Sequence, residues 1–114
     1  MAKLEMTLRG DFHEVVRGVT EELLESSLSA DLEDSSDFQA ENARCAVRVI
    51  ERYSFAGGNR VSLTLTFFAV NGDDRIFASA ITSGGSQAVF LKLNTWGEET
   101  FLDKAEAALS HYKA

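Results

Sequence analysis

Residues 3–9 alternate: Leu4, Met6 and Leu8 fall on one side, Lys3, Glu5, Thr7 and Arg9 on the other. A period of two over that length predicts a half-buried strand, and Gly10 closes it. The period then changes. Phe12, Val15, Val16, Val19 and Leu23 follow helical spacing, and Asp11 with Glu14 three positions on makes a capping-box pattern. This predicts a helix over 11–26. Its three valines are poor helix formers, so its stability must come from packing. Leu28, Ala30 and Leu32 alternate and suggest a short strand, after which Glu33 to Asn42 reads as a polar connection. From Arg44 the pattern is β-rich. Cys45, Val47 and Val49 alternate with Arg48 and Arg52, and Gly57-Gly58-Asn59 reads as a hairpin loop. Val61 to Val70 gives the clearest strand, with Val61, Leu63, Leu65, Phe67 and Ala69 on one face. Asn71-Gly72 follows, a pair suited to a tight turn. Arg75 to Ser83 and Gln87 to Leu93 read as two further strands joined by Gly84-Gly85-Ser86. Thr95 with Glu98 is a second capping box. Phe101, Leu102, Ala105, Ala108, Leu109 and Tyr112 form the stripe of a closing helix.

The elements predict one α+β domain over residues 1–114, in the order β-α-β(4-5)-α. An antiparallel meander sheet would be covered on one face by two helices, since each amphipathic helix needs an apolar surface. The layout resembles the TATA-binding-protein-like and helix-grip folds. The stretches Gly84-Gly85-Ser86-Gln87-Ala88-Val89-Phe90 and Asn94-Thr95-Trp96-Gly97-Glu98-Glu99 are also similar to small bacterial domains of unknown function. The helix-grip resemblance implies either an apolar ligand held between sheet and helix or a pure interaction module.

Charge and cysteine usage narrow the partners. The net charge is −7, with 11 basic residues against 18 acidic ones. A binder of nucleic acid or anionic membrane gains affinity by placing Lys and Arg against phosphates, so neither is expected as a partner. Arg44, Arg48 and Arg52 share one strand face, which reads as solvated. Cys45 is the sole cysteine, so no internal disulfide forms. No apolar run approaches the length of a membrane span, and residues 1–5 lack the apolar stretch of a secretory signal. A reducing cytoplasm is the expected setting.

Candidate chemistry is sparse. His13 and His111 lie on different helices, and a metal site needs three or four ligands. Cys45 reads as a small core thiol, because Arg44 beside it points to the other face. Gly84-Gly85-Ser86 joins strands rather than opening a helix, unlike a phosphate loop. Asn71-Gly72-Asp73-Asp74 lacks the spaced ligands of a calcium loop. The acidic run Asp31, Glu33, Asp34 and Asp37 reads as a solvated loop, and Glu98 and Glu99 as helix-start charges. No catalytic residue, cofactor or metal is expected.

The reverse of the sheet is more informative. If Leu63, Leu65 and Phe67 face the helices, Phe68 and Val70 face away. Phe90 faces away likewise, as does Phe77 or Ile76. Ile50 sits on the side of Arg48 and Arg52. Large apolar groups on a face that no helix covers mark an interface. The leading expectation is therefore a non-enzymatic interaction module, with a homodimer or another protein partner contacting Ile50, Phe68 and Phe90. The alternative is a carrier of a small apolar ligand, its pocket between the sheet and the last helix and lined by Phe67, Trp96, Phe101 and Leu102.

Overall fold

A computed structural model describes residues 1–53, 60–84 and 91–114, with the backbone alone for 91–99. Within them run β1 (Ala2–Arg9), α1 (Phe12–Glu25), β2 (Asp31–Gln39), β3 (Ala43–Tyr53), β4 (Arg60–Val70), β5 (Arg75–Gly84) and α2 (Leu91–Ser110). The five strands make one antiparallel sheet in the order β1-β5-β4-β3-β2. β2 to β5 form a meander, and β1 closes against β5. α1 therefore carries the chain from one edge of the sheet to the other.

Asp11 is the N-cap of α1: the Glu14 N–H donates to its carboxylate at 3.1 Å. The buried side of α1 is Val15, Val16, Val19, Thr20 and Leu23. Among the described side chains of α2, Phe101, Ala105, Ala108 and Leu109 are buried. Both sets join one cluster with Leu8 on β1, Ile76, Ala78 and Ala80 on β5, Val61, Leu63, Leu65 and Phe67 on β4, and Ala46 and Ile50 on β3. The strand registers put all of these sheet residues on the same face. Both helices thus cover one side of the sheet, α2 over β1, β5 and β4, and α1 beside it toward β3. The helices approach closely at Gly18, where a Cβ would run into the Tyr112 hydroxyl. The two buried polar side chains in the described residues are satisfied: Thr20 donates to the Val16 carbonyl at 2.7 Å and Thr82 to the Ala2 carbonyl at 3.4 Å.

Four sequence expectations change. The short strand at 28–32 and the polar connection after it are replaced by β2, every residue of which is exposed. An edge strand with both faces wet has no apolar alternation to read. It is held by its ladder to β3, with a bulge between Leu32 and Asp34. Second, residues 91–93, expected to end a strand, are the first residues of α2. Thr95 then lies inside the helix and is not its cap; residues 87–90 fall outside the described part. Third, Asn71-Gly72 makes the expected tight turn between β4 and β5, but with a positive φ at only one of the pair. The Asp73 N–H donates to the Val70 carbonyl at 3.1 Å, and Gly72 alone takes a positive φ of 89°, as the third residue of a type II turn does.

Fourth, the side of β3 that carries Ile50 is the covered one. Ile50 pairs with Leu63 and is 0% exposed. Arg44, Arg48 and Arg52 share its face, as expected, but that face is not freely solvated. The Arg44 guanidinium lies 5.3 Å from the Phe12 ring centre and that of Arg52 4.5 Å from the Phe101 ring centre. Arg48 donates to the Asp37 carboxylate at 3.0 Å and to the Val47 carbonyl at 2.9 Å. The arginine side chains close the margin of the core, two of their guanidinium groups lying against aromatic rings. Burial lowers the pKa of Arg52.

Candidate functional site on the open face of the sheet

Among the described residues no helix lies over the other side of the sheet. The registers define straight rows of side chains across it, one residue per strand from β1 to β2. One row runs Thr7, Phe77, Phe68, Cys45, Phe38. The next runs Glu5, Ser79, Thr66, Val47, Ser36, and the one after it Lys3, Ile81, Thr64, Val49, Asp34. Directly opposed residues in adjacent strands hold their Cβ atoms about 5 Å apart. Phe77, Phe68, Cys45 and Phe38 therefore form a continuous apolar band over four strands. Phe77 is 39%, Phe68 41% and Phe38 66% exposed.

Cys45, expected in the core, belongs to this band. β3 presents its valines and Cys45 outward because Ala46 and Ile50 occupy the helix side. Its thiol is half-buried between Phe68 and Phe38.

Beside the band, Phe77 and Phe68 flank a shallow hollow of about 490 Å3 whose floor and walls include Glu5, Thr7, Thr66 and Ser79. One end of the face is fixed by charge. Arg75 stacks 5.1 Å from the Phe77 ring centre and donates to Asp73 at 2.7 Å. This hydrogen bond is the main cause of an Asp73 carboxyl lowered to about 2, and it raises Arg75 in turn. At the far end Arg60 reaches Glu51 at 3.2 Å and Glu33 at 3.5 Å.

The expected site residues separate. Phe68 stands on the open face. Ile50 lies under the helices, and Phe90 falls outside the described residues. Phe67 and Phe101 are fully buried and Leu102 is packed partly against the core. The side chain of Trp96 is outside the described part. Neither Phe67 nor Phe101 lines the hollow on the open face, nor a second one of about 540 Å3 between α1 and β2, lined by Phe12, Val16, Leu24, Leu32 and Arg48. The sequence pointed to Phe77 only as one of two options, and it missed Phe38. The signal for Phe38 would have been a lone large aromatic in an otherwise polar strand.

Chemical groups are scattered. His13 meets Phe12 edge-on at 6.1 Å, and the His111 Nε2 lies 3.2 Å from Glu22. Among the described residues no three His, Cys, Asp or Glu side chains are placed to hold a metal, and no helix is long and apolar enough to cross a membrane.

A family model, DUF6054, matches residues 1–113. The chain belongs to that family, whose function is unknown. No curated protein and no solved structure matches it. The reading of this DUF6054 member therefore rests on its own surface.

Proposed function

We propose that this chain is a non-enzymatic interaction module that associates with itself through the open face of its sheet. The observation that carries the reading is the band of Phe77, Phe68, Cys45 and Phe38 across four strands, with no helix above it among the described residues. Three partly exposed phenylalanines in one band with Cys45 are costly to leave in water, and covering what remains exposed contributes roughly 0.5–1 kcal/mol each for Phe77 and Phe68 and about 1–2 kcal/mol for Phe38. A second copy offers the same band, so a two-fold axis lets each cover the other. In this reading the helix-grip type of layout serves as a scaffold: the helices fill one side and leave the other free for contact. A reducing compartment such as the cytoplasm suits a half-buried thiol within the contact.

Sedimentation of the purified protein over a wide concentration range tests this. The expected result is a concentration-dependent dimer that Phe68→Asp converts to a monomer, with the far-ultraviolet circular dichroism and melting temperature of the monomer retained. A wild-type chain that remains monomeric at the highest soluble concentration overturns the proposal.

A further inference from the structure

We infer that the second copy docks about a two-fold axis parallel to the strands and centred on β4, so that Phe38 of each copy enters the hollow of the other and Lys3 of each faces the other's Asp34. The inference rests on the self-association proposed above and adds its geometry.

Two sheets stacked face to face about 10 Å apart can be related by a two-fold lying between them in either of two simple ways. An axis along the strands lays the β1 edge of one copy over the β2 edge of the other. An axis across the strands lays β1 over β1. The residues on the open face favour the first. Phe38 is the most exposed phenylalanine of the band and sits on β2. The hollow sits on the same face but toward the opposite edge, between β1 and β4, bordered by Thr7 and Phe77. In the row Thr7, Phe77, Phe68, Cys45, Phe38, rotation about β4 puts Phe38 over Thr7 and Cys45 over Phe77, with Phe68 meeting its own copy. The protrusion and the recess thus coincide, twice, by symmetry. With the axis across the strands, each would meet itself.

Charge gives an independent second match. The row Lys3, Ile81, Thr64, Val49, Asp34 has a cation at the β1 end and an anion at the β2 end, with Ile81, Thr64 and Val49 between them. The same rotation brings Lys3 over Asp34 and Ile81 over Val49. Among the described residues neither Lys3 nor Asp34 forms an ion pair within the chain, whereas Arg9, Arg48, Arg60 and Arg75 all do. Aligned sheets cross at about 30°, a displacement at the edges that a lysine side chain spans. The face is also large enough. Five strands at about 4.8 Å and about eight residues at about 3.3 Å give roughly 600 Å2 per copy, or about 1,200 Å2 in total, the lower bound for a specific interface.

Charge reversal in the full chain tests the arrangement, with dimerisation read by sedimentation and folding by melting temperature. Lys3→Glu sets Glu against Asp34, and Asp34→Lys sets Lys against Lys3. Each alone is expected to weaken self-association about tenfold with folding intact. An equimolar mixture of the two variants should recover heterodimers, because both contacts then pair opposite charges. The double variant in one chain should recover the homodimer. Phe38→Ala should weaken association without lowering the melting temperature. If the wild type dimerises and neither the charge reversals nor their mixture change or restore it, this geometry is wrong while self-association stands. A monomeric wild type removes both.

Discussion

Phe67 and Phe68 are adjacent in β4 and point to opposite sides of the sheet: Phe67 is sealed beneath the two helices, and Phe68 lies on the open side opposite Phe77. Deleting the two rings should therefore report on different things. Phe67→Ala leaves a cavity in close-packed surroundings and should cost about 3–5 kcal/mol of stability. Phe68→Ala should change the stability of the monomer by less than about 1 kcal/mol and act on the dimerisation constant instead. Urea unfolding at low protein concentration measures the first effect, and sedimentation the second. Equal stability losses would mean that both faces are equally enclosed.

The start of α1 depends on one side chain. Asp11→Ala removes the acceptor for the Glu14 N–H and should cost about 1 kcal/mol. Asp11→Asn, which keeps an acceptor oxygen, should recover most of it. Urea midpoints of the three proteins provide the check.

Asp73 makes acid stability sensitive to Arg75. Its carboxyl is lowered from 3.8 to about 2 in the folded chain, first by the side-chain hydrogen bond from Arg75. A carboxyl with a folded pKa below its unfolded one adds stability that is present above about pH 4 and is lost as the pH falls toward 2. Arg75→Gln should raise the Asp73 titration, followed by carboxyl NMR shifts, toward the ordinary aspartate range, the backbone N–H of residue 75 at 3.0 Å still holding it somewhat lower. It should also flatten the fall in stability over that pH window. An Asp73 midpoint unmoved by the substitution would assign the shift to another cause.

Cys45 is a built-in probe of the open face. Its thiol lies half-buried between Phe68 and Phe38. Alkylation by iodoacetamide should slow as protein concentration rises through the dimerisation range. In Phe68→Asp the rate should stay constant. A wild-type rate independent of concentration would place the contact elsewhere.

Much of this architecture can be read from residue order because one face of each element is apolar at the right period. β1, α1 with its Asp11 cap, β4 and β5 all follow from that rule. β2 does not, since Asp31 to Gln39 is wet on both sides and its place comes from pairing with β3. α2 starts earlier than Thr95 suggests, because Leu91 and Leu93 alternate in a way that suits a strand as well as a helix. The face of Ile50 is hidden from local spacing for a different reason. Arg48 and Arg52 beside it suggest solvent, yet the rings of Phe12 and Phe101 give neighbouring guanidinium groups something to lie on at the border of the core. Of the candidate contact surface, Phe68 follows from alternation along β4. The band as a whole needs the strand registers, which local spacing does not specify.

The two rims of the sheet bear on edge-to-edge association. Along β2, Asp31, Glu33, Asp34 and Asp37 and the bulge beside Leu32 make an outer strand that repels another of its kind. Along β1, the carbonyl of Thr7 is taken by the Ala114 N–H at 3.0 Å, and the Arg9 N–H by the Tyr112 carbonyl at 2.8 Å. Sideways addition of strands, the route to fibres, is thereby discouraged at both borders.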